Sequence, residues 1–92
     1  MRNLVIIAAA LLSLTLPSSV AAQDFDRGVS AYEAGDYLTA LRELRPLAEQ
    51  GDAVAQNYLG VMYYNGQGVP QNYAEAVRLY RLAAEQGIAD AQ

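Results

Sequence analysis

A chain of 92 residues supplies one small domain at most and cannot wall a large catalytic cleft. It holds no cysteine, histidine or lysine and carries a formal charge of −4, with much of its 53% apolar content gathered near the amino terminus. Those absences exclude disulfide staples, a lipidated cysteine anchor, the usual general base and the amine nucleophile. The scattered arginines form no basic patch that could follow a phosphate backbone, so nucleic acid is excluded as a partner.

Residues 1–22 are expected to be an export signal. Arg2 gives a positive start, Leu4 to Leu16 an apolar run, Pro17 a break, and Val20, Ala21 and Ala22 the compact side chains before a cut at Gln23. The run is shorter than the roughly 20 apolar residues that span a bilayer core. Cleavage is therefore read in preference to a retained anchor, leaving an exported, periplasmic or secreted protein with no stable membrane span.

Four helices are expected after the signal. Phe25 to about Ala34 carries Phe25, Gly28, Val29 and Tyr32 on one stripe, and Gly35-Asp36 breaks it. The next helix places Tyr37, Ala40, Leu41, Leu44, Leu47 and Ala48 on one face and ends at Gly51. Pro46 falls inside it and removes a backbone donor, which predicts a kink or break around Arg42 to Arg45.

Ala53 to about Tyr64 follows, with Ala55, Tyr58, Leu59, Met62 and Tyr63 toward a core. Gly60 inside this helix costs roughly 1 kcal/mol relative to alanine, which predicts close approach by a neighbouring helix. The segment from Asn65 to Asn72 is too rich in Gly, Asn and Pro to stay helical. The last helix repeats the second, with Tyr73, Ala76, Val77, Tyr80, Ala83 and Ala84 on its expected buried face and Gly87 at its end.

The chain matches itself at a shift of 36 residues. Leu47 to Gln56 (LAEQGDAVAQ) and Ala83 to Gln92 (AAEQGIADAQ) share seven of ten positions, and Tyr37, Ala40, Arg42 and Arg45 coincide with Tyr73, Ala76, Arg78 and Arg81. A period of this length indicates stacked supersecondary units, each burying its apolar face against a neighbour. The fold class is therefore all-α, a short solenoid of antiparallel helix-turn-helix units.

The second unit resembles the Sel-1-like repeat, a relative of the tetratricopeptide repeat. The resemblance rests on Leu59-Gly60, Tyr63, Gly66-Gln67-Gly68-Val69, Ala76, Tyr80, Ala83-Ala84-Glu85-Gln86-Gly87 and Ala91. It covers 57–92 as one unit, with 23–56 as a degenerate hairpin before it. It implies a scaffold for a protein or peptide partner, without catalysis or cofactor. Some exported members are associated with penicillin binding or β-lactamase activity but are laced by disulfides, so a weak hydrolase of the cell envelope is the alternative reading.

Candidate chemistry is sparse. The Gly66-Gln67-Gly68-Val69 segment follows no strand and brings no lysine, so it reads as a turn and not as a phosphate loop. Asp24 and Asp26 suit a helix amino terminus, and with Glu33 and Asp36 they form no metal-loop motif. Ser30, alone in the mature chain, has no base to activate it.

Tyr37, Tyr63, Tyr73 and Tyr80 are expected in the core. Asn57, Val61 and Tyr64 share another side of their helix at i, i+4, i+7, and helical repeats of this kind present that side as a concave binding surface, so these three are the candidate partner site. Ala89-Asp90-Ala91-Gln92 opens a further unit that the sequence does not continue. Self-association through that end, a partner helix, or a truncated remnant of a longer array are the expectations it raises.

Overall fold

Short glycine-bearing turns between amphipathic segments fold the chain into two helical hairpins. The computed structural model describes residues 24–87: α1 over 24–33, α2 Tyr37–Glu49, α3 Ala53–Asn65 and α4 Tyr73–Glu85. The signal expected over 1–22 and the closing segment Ala89 to Gln92 lie outside the described residues. Contacts run antiparallel throughout. Gly28 lies beside Leu44, the Arg45 guanidinium reaches the Tyr63 hydroxyl while Gln56 reaches Ala48, and Gly60 lies beside Tyr80 while Gln56 meets Gln86.

The starts of α2, α3 and α4 are each capped by a side chain that accepts from the third residue on, which satisfies a donor the helix itself cannot pair. Asp36 accepts from the Thr39 amide, Asp52 from Ala55 and Asn72 from Glu75. At the end of α2 the Asp52 and Gly51 amides donate to the Leu47 and Ala48 carbonyls, with Gly51 at φ +100°. Those two hydrogen bonds close α2 as the glycine pattern predicts and deliver Asp52 directly to the cap of α3.

The core lies where α3 packs between α2 and α4. Small residues dominate it: Ala40, Ala55, Ala76 and Ala83 are fully buried, and Leu44 and Met62 are the largest side chains buried outright. Gly60 justifies its helix cost, because a Cβ there would lie 2.7 Å from the Tyr80 ring. Gly28 repeats the arrangement one unit earlier, where a Cβ would lie 2.7 Å from Leu44.

Two expectations are corrected. Of the kink or break expected around Arg42 to Arg45, the break does not occur, since α2 is one helix through Pro46 to Glu49. Pro46 withholds a single bond from the Arg42 carbonyl on an exposed turn, while Leu44 and Ala48 on either side are held in the core. The buried face of α4 is also narrower than its apolar periodicity predicts. Ala76, Leu79 and Ala83 are buried, while Tyr73 and Val77 are 56% and 49% exposed. Among the described residues α4 packs chiefly on α3, whereas α2 packs on both α1 and α3, so a stripe of equal width finds less cover.

Gly60→Ala is expected to lose about 1 kcal/mol net in urea unfolding, as crowding of 1–3 kcal/mol exceeds the propensity gain. In a Tyr80→Ala background the same change should stabilise. A stabilising effect in the native background would refute the close approach.

Candidate functional site

Successive residues of a helix turn by about 100°, which separates α3 into distinct sides. Ala55, Leu59 and Met62 face the core. Asn57 and Val61 are half-buried and Tyr64 is 51% exposed, so the three candidate residues share the accessible side, as their spacing predicts. The other motif residues are structural. Tyr63 is half-buried and its hydroxyl accepts from Arg45 at 3.4 Å, Gly66 closes α3 at φ +70°, and Val69 and Ala84 are half-buried.

The accessible side extends onto α4. Tyr73, expected inside, packs against Tyr64 with ring centroids 5.0 Å apart and planes tilted by 56°, and the Gln71 amide donates to the Tyr73 hydroxyl at 3.0 Å and to the Tyr64 carbonyl at 2.9 Å. Tyr73 and Gln71 therefore join the site although their positions in the sequence did not mark them. The signal that could have found them is the equivalent pair in the first unit.

That pair is Tyr32 and Tyr37, with centroids 5.5 Å apart, and it is covered. The Tyr58 ring meets Tyr32 edge-on at 5.4 Å, and the Gln67 carboxamide bridges both hydroxyls, accepting from Tyr32 at 3.0 Å and donating to Tyr37 at 3.3 Å. Gly68, at φ +75°, lets the loop approach so closely that a Cβ would lie 2.9 Å from that of Tyr37. The Gly66-Gln67-Gly68-Val69 segment thus clasps the preceding unit, and its spacing serves contact between hairpins.

A groove of about 460 Å³ runs between α2 and α4 over α3, lined by residues that include Arg45, Gln56, Leu59, Tyr63, Glu75 and Arg78. It lies roughly 130° round α3 from Asn57, Val61 and Tyr64. Its charges are engaged locally: the Arg78 guanidinium donates to Glu75 at 3.0 Å, which holds the Glu75 carboxyl below its usual value and raises Arg78. Burial beside Gly60, helped by nearby Tyr64 and Tyr32, raises the Tyr80 hydroxyl above the usual 10.0. Among the described residues no three acidic side chains gather as a metal site would require, and no helix is long and apolar enough to cross a membrane.

The family model of the Sel1 repeat matches residues 53–88, which takes in α3, the clasping loop and α4. The chain carries a Sel1 repeat. An "Exopolysaccharide production negative regulator" from Rhizobium meliloti (strain 1021) is 38% identical over 64 residues, covering 70% of this chain and 24% of that protein. The chain therefore spans about a quarter of that relative's length. No solved structure matches it. Sel1 repeats are in general protein-interaction modules, and the two hairpins form a helical-repeat scaffold of that kind.

The raised Tyr80 value has a pH consequence. Folding favours the neutral phenol, so its contribution is complete below pH 10.0 and is lost as pH rises through the folded value. The melting temperature is expected to fall more steeply above pH 10.0 in the native chain than in Tyr80→Phe. Equal slopes in thermal melts would contradict the burial.

Proposed function

We propose that the chain is an exported Sel1-like repeat scaffold that holds a peptide or helix of a protein partner against the Asn57, Val61 and Tyr64 side of α3, with no chemistry of its own. One observation carries this reading: a half-exposed tyrosine, a half-buried valine and an amide share the accessible side of a rigid helix whose opposite side is fixed in the core. Aromatic and amide groups so placed supply contact area and hydrogen bonds at low entropic cost. The lack of histidine, lysine and cysteine supports a binding role over hydrolysis. A regulator's part, as the Rhizobium relative's name states, suits a module that acts by binding.

Immobilised native chain is expected to retain a protein from a cell-envelope extract, and Asn57→Ala with Tyr64→Ala to retain at least about tenfold less, equal to about 1.4 kcal/mol. Equal retention by both would show that this side of α3 is not the binding face. Export rests on the pattern in residues 1–22, and chain recovered from the exported fraction should begin at Gln23. A start at Met1 would remove that part of the reading.

A further inference from the structure

An asparagine followed by glycine is a chemically labile pair, because the glycine amide nitrogen can close a five-membered ring onto the side-chain carbonyl with no Cβ in its way. The sequence holds one such pair, Asn65-Gly66, at the carboxyl end of α3. Asn57 and Asn72 each precede a tyrosine, whose bulk hinders that closure, and the glutamines before Gly51, Gly68 and Gly87 would need a larger ring. Asn65 is exposed, so solvent water has access to it.

The fold restrains the reaction. Asn65 is the last residue of α3, and the Gly66 amide that would attack it donates instead to the Met62 carbonyl. The Gln67 amide donates to the same carbonyl at 2.9 Å, the Asn72 amide to the Tyr63 carbonyl at 2.8 Å, and the Gln71 side chain to the Tyr64 carbonyl at 2.9 Å. These bonds tie the loop to the last turn of α3, and the Gln67 bridge to Tyr32 and Tyr37 ties it to the first hairpin as well. Ring closure therefore waits on local opening of that turn.

We propose that Asn65 is a site of spontaneous deamidation, gated by opening of the last turn of α3, whose products unseat the Gln67 clasp. The Gly66 nitrogen bonds to Asn65 Cγ and gives up its proton, the carboxamide nitrogen gains a proton and leaves as ammonia, and water then opens the cyclic imide at either carbonyl. One opening gives aspartate and the other isoaspartate, with water as the only co-reactant. Aspartate places a negative charge at the carboxyl end of a helix, where the helix dipole opposes it. Isoaspartate routes the backbone through Cβ, which adds a carbon to the main chain two residues before Gln67 and draws its carboxamide away from the Tyr32 and Tyr37 hydroxyls. Either product loosens the junction between the hairpins. The reaction belongs to the chain itself and is independent of any partner.

The test ages the full chain in warm buffer near neutral pH and maps its peptides by mass spectrometry, with enzymatic methylation to detect isoaspartate. Asn65 is expected to gain about one dalton and an isoaspartate signal well before Asn57 or Asn72 changes. The rate at Asn65 should rise at least about tenfold in urea-unfolded chain, and should also rise in Gln67→Ala, where the loop has lost its tie to the first hairpin. Deamidated chain, separated by its added negative charge, should unfold at a lower urea concentration than unaged chain, and the loss should be smaller in a Gln67→Ala background. Asn65→Gln should abolish both the modification and the age-dependent loss. Reaction at Asn57 or Asn72 ahead of Asn65, or equal rates in folded and unfolded chain, overturns the gated site. An unchanged urea midpoint after deamidation, or an equal loss with and without Gln67, overturns the release of the clasp.

Discussion

Close approach of helices through small residues is the constraint on which the structure depends. A core built around Ala40, Ala55, Ala76 and Ala83 brings little area per side chain, so its helices gain contact by drawing near. Gly28 and Gly60 permit that approach at matching points, each with the larger side chain of the facing helix laid over it. The helices then lie close enough for a buried amide to join three of them: Gln56 of α3 donates to the Ala48 carbonyl at the end of α2 and accepts from Gln86 just after α4. Among the described residues no buried side-chain nitrogen or oxygen lacks a partner.

The accessible surface follows from the same economy of material. Two hairpins bury one side of α3 completely and leave Asn57, Val61 and Tyr64 on the other. Tyrosine serves both sides. Tyr32, Tyr37 and Tyr58 seal the junction between the units, and Tyr64 with Tyr73 forms the same pair without its cover. One pattern thus gives a covered tyrosine pair in one unit and an accessible one in the next.

Much of this was legible because it is local. Gly35-Asp36 and the run 65–72 break helices, Gly51 and Gly87 follow helix ends, and the period of 36 aligns equivalent helices. Gly60 was readable as a packing residue because its local cost demanded a reason elsewhere. The burial of α4 was not, since periodicity reports that a face is apolar but carries no account of how many helices will cover it. Tyr73 and Val77 were misplaced for that reason, and Leu79 went unremarked. At Pro46 the penalty was read locally, whereas packing of Leu44 and Ala48 on both sides keeps α2 one helix through it. The Tyr32, Gln67 and Tyr37 bridge joins residues 30 and 35 apart, a distance that no short window spans. Asn57, Val61 and Tyr64 were legible as a shared side, which is a matter of helix geometry alone.

The Gln67 clasp gives the array a polarity. Its carboxamide reaches backward, so the first hairpin borrows its seal from the second. Loosening that begins in the second hairpin therefore uncovers Tyr32 and Tyr37 of the first. Units joined this way are not interchangeable, although their sequences nearly are: the order in which they stand determines which one guards the other.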